Sequence, residues 1–203
     1  MNRSWSIAQT ATRVKCKTDA ACARGLFACV RRICYNGREE SIDGGDECME
    51  TKTNVMRLLD GMNLPYRAYR YPSETALSGV EVADILALPH GKVFKTLVTV
   101  GKSKRNYVFV IPVALELDLK KAAQACGEKA IEMIKAKDLL PLTGYVHGGC
   151  SPIGMKKPFV TFVDASAQAR EAICFSAGRI GFQAEMALDD LRKAVYFAFA
   201  DLT

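Results

Sequence analysis

Apolar residues follow two spacings along the chain, and each spacing predicts one kind of element. Val55, Leu58, Leu59 and Met62 recur at the spacing of one helix face, which predicts an amphipathic helix. Comparable patterns predict helices at residues 80–88, 117–126, 136–140 and 188–194. Runs of β-branched and aromatic residues predict strands at residues 66–71, 93–100, 107–113, 159–163, 173–176 and 196–200, with a weaker strand near 182.

The order of these elements predicts a mixed α/β fold. Helices and strands interleave, but the strands at 93–100 and 107–113 are joined by a short polar segment typical of a hairpin. A hairpin joins antiparallel strands, so the sheet cannot be purely parallel. We therefore expect one mixed α/β domain without repeats or a low-complexity linker.

Residues 1–48 do not share this regular pattern. They contain five of the eight cysteines, which are spaced neither as zinc-binding pairs nor as a disulfide framework. They are basic up to Arg38 and then acidic, and Met49 opens a stretch that resembles a translation start leading into a helix. We expect residues 1–48 to be a disordered extension or the product of a start codon assigned too early, and residues 49–203 to form the folded domain.

Composition narrows the classes of function. The net charge of +6 suits an anionic partner such as RNA but does not establish one. No apolar run approaches the roughly eighteen residues of a membrane span, and no glycine-rich nucleotide-binding sequence is present. With two histidines and scattered cysteines, we expect no metal centre and no cofactor.

Two features carry candidate chemistry. In the stretch 143–157, Gly148, Gly149, Pro152 and Gly154 fall within seven positions, which predicts either a tight connection between strands or a backbone cradle for an anion or oxyanion. Lys95 lies within an apolar predicted strand, on the face of its apolar neighbours two positions away. Such a lysine either extends its ammonium group to the end of the sheet or lies in a cleft with an anionic partner.

A cysteine-hydrolase site is a further possibility in the same stretch. His147 could activate Cys150 as a thiolate nucleophile. However, no Asp or Asn that would orient the histidine can be identified, and three residues of spacing in a loop fix no geometry. We expect Cys150 to be a packed loop thiol and His147 a partly exposed loop residue.

Several segments occur in an order that resembles one known family. They are Val-Phe-Lys-Thr-Leu-Val at 93–98, the segments at 110–113, 117–123, 142–157 and 175–183, and the final Phe-Ala-Asp-Leu-Thr. From about residue 54 to 203 the chain resembles the YbaK/EbsC family of free-standing Cys-tRNA(Pro) deacylases, which are related to the editing domain of bacterial prolyl-tRNA synthetase. The resemblance implies a single mixed, largely antiparallel and barrel-like sheet with flanking helices.

The resemblance also implies a reaction and its partners. The substrate would be tRNA(Pro) mischarged with cysteine, with Cys-tRNA(Cys) as a second substrate, and the substrate's own thiol would attack its ester carbonyl. The reaction is expected to fall in the hydrolase class, with lyase as an additional class. Prolyl-tRNA synthetase is an expected partner in a ternary complex, and the cytoplasm is the expected location.

Carried over by position, the resemblance assigns roles to eight residues of this chain. Lys95 would hold the substrate or its terminal phosphate, and the amide of Gly148 would face the reacting carbonyl. The substrate-binding residues would be Tyr71, Thr96, Gly149, Pro152, Ser176 and Gln183. Gln183 stands where some members of the family have Asp, so a carboxylate role there is in doubt, and Cys150 stands where others have an apolar residue.

Two other functions remain open from the sequence. The chain could be a deacylase for another small aminoacyl-tRNA, such as Ala-tRNA(Pro). It could also be a non-catalytic module that binds tRNA 3′ ends or prolyl-tRNA synthetase, which would show binding without turnover.

Overall fold

The computed structural model describes residues 33–35, 38–39, 52–72 and 76–203. The helices are α1 (Asn54–Gly61), α2 (Gly79–Ile85), α3 (Leu119–Cys126), α4 (Ala136–Thr143) and α5 (Leu188–Ala194). The strands are β1 (Ile33–Tyr35), β2 (Arg38–Glu39), β3 (Arg67–Arg70), β4 (Phe94–Gly101), β5 (Asn106–Pro112), β6 (Ile131–Met133), β7 (Val160–Asp164), β8 (Ala172–Ser176), β9 (Phe182–Ala187) and β10 (Phe197–Ala200). Apart from β1 and β2, residues 1–48 lie outside the described residues, so the prediction about them stays a prediction.

The strands form two five-stranded sheets. The first has the order β2-β1-β3-β9-β8 and is antiparallel throughout. The second has the order β10-β7-β5-β4-β6, in which β7 runs parallel to both of its neighbours and the other pairs are antiparallel. The sheets meet at a bridge between Val93 and Cys174. The predicted mixed, largely antiparallel α/β fold is confirmed, although the strands are divided between two sheets.

Local signals explain where the elements begin and end. Asp118 caps α3 by accepting hydrogen bonds from the amides of Lys120 and Lys121. Gly127 ends the same helix in the left-handed conformation, with φ of 70°. Lys102–Arg105 form the turn of the β4–β5 hairpin, as the sequence predicted. Within the described residues, none of the helices is both long enough and apolar enough to cross a membrane.

Strand β4 separates two clusters of the core. Phe94 and Val98 belong to the main cluster, together with Leu59 of α1. Leu97 faces the opposite way and contacts the cluster around Phe109. Because side chains alternate along a strand, Thr96 shares the face of Phe94 and Val98, while Lys95 shares the face of Leu97.

Candidate active site

The glycine-rich stretch forms a closed loop that follows α4. The amide of Lys156 donates to the carbonyl of Thr143 at 3.0 Å, which joins the two ends of the loop. Inside it, the hydroxyl of Tyr145 donates to the carbonyl of Ile153 at 2.6 Å. Burial raises the pKa of Tyr145 to about 12, so its hydroxyl remains a donor at neutral pH. The loop is therefore held in one shape by its own buried hydrogen bonds.

Gly148 and Gly149 place the exposed tip of this loop against two other segments. Gly148 has φ of +79°, and a Cβ on it would lie 2.5 Å from the Cβ of Ala76. A Cβ on Gly149 would lie 3.3–3.4 Å from the backbone of Arg179 and Ile180. Both positions therefore bring the backbone close to a neighbouring segment, and Gly148 also needs the conformational freedom of glycine.

The loop contains backbone amides that could face an anion. The amide of Gly149 donates to the carbonyl of Val146 at 3.0 Å and is occupied. Within the described part of the chain, the amides of Gly148, Cys150 and Ser151 have no backbone acceptor. Gly148 is exposed, whereas Gly149 to Ile153, including Pro152, are buried. The amide of Gly148 is thus the accessible candidate for an oxyanion donor.

Lys95 lies in β4 opposite Ile111 of β5, on the face away from the main core. Its side chain is 25% exposed, and its Nζ lies 3.0 Å from Oε1 of Glu116, which is 91% exposed. The lysine thus pairs with a carboxylate at the surface, and its role in binding an anionic substrate stays a prediction. Glu116 itself was not predicted, because it lies in an irregular segment before α3 that has no periodic pattern.

Tyr71, Ser176 and Gln183 meet at one end of the first sheet. Ser176 and Gln183 are cross-strand partners in β8 and β9, and the amide of Tyr71 donates to the carbonyl of Gly181 at 3.0 Å. Burial raises the pKa of Tyr71, and a hydrogen bond with the Gln183 side chain partly opposes that rise. Gln183 is only 6% exposed, and its Oε1 atom is buried without a hydrogen-bond partner in the described structure. This free acceptor could receive a hydrogen bond from a ligand.

The bridge between the two sheets aligns Ser176 with Lys95 along neighbouring strands. Val93 and Cys174 pair in a parallel sense, so two residues further along each strand are Lys95 and Ser176. Thr96 points to the other face of β4, where its Oγ1 is also buried without a partner in the described structure. The fold therefore brings Lys95, Ser176, Gln183 and Tyr71 to one region, while the Thr96 side chain is on the opposite face.

Cys150 and His147 do not form a nucleophile pair. Cys150 is buried in the main core cluster, and burial raises the pKa of its thiol to about 12. His147 is exposed at the loop tip and makes no hydrogen bond to Cys150. A thiol with so high a pKa stays neutral at physiological pH and is a poor nucleophile. No group of three or more His, Cys, Asp or Glu residues suited to a metal ion occurs in the described residues.

The comparisons with known proteins agree on one family. The model of the aminoacyl-tRNA editing domain matches residues 73–194. EbsC of Enterococcus faecalis, which is named as a proposed Cys-tRNA(Pro)/Cys-tRNA(Cys) deacylase, is 46% identical over 76% of this chain and 94% of its own. The chain therefore belongs to the aminoacyl-tRNA editing domain family, and the resemblance seen in the sequence is confirmed.

Solved structures show the same fold at lower identity. A hypothetical protein has a TM-score of 0.67 at 24% identity, covering 73% of this chain and 97% of its own. A proposed trans-editing enzyme for prolyl-tRNA synthetase has a TM-score of 0.64 at 22% identity, covering 75% of this chain and 99% of its own.

Family membership defines the class of enzyme. The chain is an aminoacyl-tRNA deacylase acting on a tRNA substrate, as the sequence predicted. The additional assignment to the lyases was wrong, because a deacylase of this family removes the aminoacyl group by hydrolysis of its ester.

Proposed function

We propose that this protein removes cysteine from mischarged Cys-tRNA(Pro), in the cytoplasm and acting in trans to prolyl-tRNA synthetase. The proposal is supported by the relative EbsC, whose name includes both Cys-tRNA(Pro) and Cys-tRNA(Cys). The observation that carries it comes from the loop of residues 143–157. The amide of Gly148 in this loop has no backbone acceptor. The loop has no ionised nucleophile, because its one thiol is buried and neutral. Such a site suits a substrate that brings its own nucleophile.

In the proposed mechanism the thiol of the bound cysteine loses its proton and its sulfur attacks the ester carbonyl carbon. The new C–S bond gives a tetrahedral oxyanion, which the amide of Gly148 would stabilise. The bond from the carbonyl carbon to the ribose oxygen then breaks, and that oxygen takes up a proton. The products are free tRNA and a cysteine thiolactone, which water opens to cysteine. The net reaction is hydrolysis of the ester.

The remaining residues would position the substrate. Lys95 would bind the terminal nucleotide's phosphate in place of Glu116, and Gln183 would accept a hydrogen bond through its free Oε1. Tyr71 and Ser176 would line the same end of the sheet. Because the attack is intramolecular, holding the sulfur close to the carbonyl supplies much of the rate enhancement.

The test compares Lys95→Ala with Lys102→Ala on Cys-tRNA(Pro). Lys102 is a matched control because it also pairs with an exposed glutamate, Glu132, at 3.1 Å, but lies at the other end of β4. We expect Lys95→Ala to lose about 100-fold or more in kcat/KM and Lys102→Ala to stay within about twofold of the wild type. Equal rates for wild type and Lys95→Ala would remove Lys95 from the proposed role.

A substrate panel tests the thiol-assisted step separately. Cys-tRNA(Pro) and Cys-tRNA(Cys) should be deacylated, whereas Ala-tRNA(Pro), which has no thiol, should not. Rapid turnover of Ala-tRNA(Pro) would contradict thiol assistance. Binding of all three without turnover would support a non-catalytic module. We expect Cys150→Ala to remain active. Loss of activity in this variant would favour the alternative in which the Cys150 thiol is the nucleophile.

A further inference from the structure

Two arginines contact one aromatic ring beside the candidate site. Arg70 at the end of β3 and Phe182 at the start of β9 are cross-strand partners. The Cζ of Arg70 lies 5.7 Å from the centre of the Phe182 ring, and the Cζ of Arg179 lies 5.3 Å from it. We call these three residues the Arg–Phe–Arg cluster. Each distance is within the range of a cation–π interaction.

The two guanidinium groups of the Arg–Phe–Arg cluster are not neutralised by a carboxylate. Both arginines are exposed, and neither forms an ion pair with Asp or Glu in the part of the chain that the structure describes. Two like charges held by one ring repel each other, so an anion that binds both would stabilise the arrangement. Each guanidinium group lies near the ring, and its N–H groups can still donate to phosphate oxygens.

The Arg–Phe–Arg cluster borders the site along the glycine-rich loop. Arg70 and Phe182 are the chain neighbours of Tyr71 and Gln183, but their side chains face the other side of the first sheet because side chains alternate along a strand. The backbone of Arg179 contacts the glycine-rich loop at Gly149, where its Cα lies 3.4 Å from the position of a Cβ. When the terminal ester of a polynucleotide occupies the site, the rest of the strand must cross a neighbouring surface. The Arg–Phe–Arg cluster makes this surface cationic.

We propose that the Arg–Phe–Arg cluster binds backbone phosphates of the single-stranded 3′ end of the tRNA, next to the aminoacylated nucleotide. This inference rests on the proposed function and extends it to a second contact with the substrate. The cluster positions the strand without reading its sequence, because contacts to phosphate carry no base information. The Phe182 ring is already used by the two guanidinium groups, so it holds the arginines and does not stack a nucleobase.

The experiment uses the full chain and two substrates that share the same ester. One is Cys-tRNA(Pro), and the other is 3′-O-cysteinyl adenosine, which has no phosphate. The test variant is Arg70→Gln/Arg179→Gln. The control variant is Lys104→Gln/Arg105→Gln, which removes the same charge from the exposed β4–β5 turn.

With Cys-tRNA(Pro), we expect the test variant to raise KM about tenfold at low salt and to leave kcat unchanged. The slope of log KM against log salt concentration should fall by about 1.4, since each phosphate contact to a single strand contributes about 0.7. With the cysteinyl adenosine, the test variant should match the wild type, which also shows that it is folded. The control variant should match the wild type on both substrates.

Each other outcome has a definite meaning. A test variant with wild-type KM and salt slope on Cys-tRNA(Pro) overturns the inference while the proposed function stands. If the test variant loses activity only when prolyl-tRNA synthetase is added, the Arg–Phe–Arg cluster contacts that protein. This result also overturns the inference. An equal loss on both substrates shows that the arginines act on the ester site itself. If wild type cleaves neither substrate, it is the proposed function that fails.

Discussion

Lys95, a cation within a sheet, forms an ion pair with Glu116, whose carboxylate is almost entirely exposed to solvent. Glu116 is 91% exposed and Lys95 is 25% exposed. An ion pair with so exposed a partner is screened by solvent and contributes about 0–1 kcal/mol. In the proposed mechanism a substrate phosphate would therefore displace Glu116, whose carboxylate would be only a weak competitor for the ammonium group.

Replacing Glu116 should strengthen substrate binding. In Glu116→Gln the competing charge is gone, so we expect KM for Cys-tRNA(Pro) to fall about two- to fivefold with kcat unchanged. The measurement is steady-state deacylation at low ionic strength. Glu132→Gln is the control, because it releases Lys102 from the same kind of ion pair at the far end of β4. An unchanged or higher KM in Glu116→Gln, with the control at wild type, would show that Lys95 does not bind an anionic substrate group.

At the scale of elements, the closed loop of residues 143–157 depends on close backbone contact. Gly148 lies where a side chain would strike Ala76, and its φ of +79° is in the left-handed region. Gly127 has a similar φ of +70°, but a Cβ there would meet nothing within 4 Å. Both glycines therefore need the left-handed conformation, but only Gly148 lies too close to a neighbouring residue to accept a Cβ.

This difference makes Gly148→Ala and Gly127→Ala a matched pair. Each should lower the free energy of unfolding by about 1–2 kcal/mol through left-handed strain. Only Gly148→Ala should also move the loop tip and lower kcat/KM on Cys-tRNA(Pro), by about 10- to 100-fold. Adding Ala76→Gly should restore part of that activity by removing the clash. If both alanine variants keep wild-type kcat/KM, the position of the loop tip does not matter for the reaction.

Local patterns predicted elements well where the signal is complete within a few residues. The α3 stop at Gly127 and the β4–β5 hairpin each depend on neighbouring residues, and both were confirmed. Strand β6 was missed because its three residues are too few to show alternation. Helix α4 extends to Thr143, beyond its predicted end, although it contains Pro141. Its C-terminal turn is held by Gly144, whose amide donates to Leu140.

For the site, the sequence identified residues whose type conflicts with their surroundings. A lysine in an apolar strand and a dense run of glycines are both visible without any structure. The Arg–Phe–Arg cluster was not visible, because it depends on the register between β3 and β9, which are far apart in the chain. For Thr96 two predictions disagree: strand alternation turns its side chain away from Lys95, whereas the family resemblance puts both residues in one pocket.

At the scale of the whole molecule, a partly buried polar network links the two sheets near their junction. The Nζ of Lys92, just before β4, lies 2.8 Å from Oε1 of Glu185 in β9. Tyr69 of β3 donates its hydroxyl to the same carboxylate. Glu185 therefore joins the first sheet to the segment that leads into the strand of Lys95, close to the Val93–Cys174 bridge. The geometry of the candidate site depends on this junction, since Lys95 belongs to one sheet and Ser176 to the other.

The network should make the fold sensitive to alkaline pH. The pKa of Tyr69 is raised, first by burial and then by its hydrogen bond to Glu185 and the charge of that carboxylate. The unfolded chain has a tyrosine pKa of about 10, so the folded state favours the protonated phenol. This contribution is complete below pH 10 and is lost as pH rises from there towards the folded-state pKa. The free energy of unfolding should thus fall with a slope of up to about 1.4 kcal/mol per pH unit from this group.

Tyr69→Phe isolates that contribution. The variant should lose about 1–2 kcal/mol at pH 7, because the hydrogen bond to Glu185 is gone. Its stability should then decline less steeply than that of the wild type between pH 10 and 11, so that the two curves converge. Chemical denaturation at half-unit pH steps measures both effects. Tyr196→Phe is the control: Tyr196 is 90% exposed, so that variant should follow the wild-type curve. Parallel curves for Tyr69→Phe and wild type above pH 10 would mean that the Tyr69 phenol does not couple folding to pH.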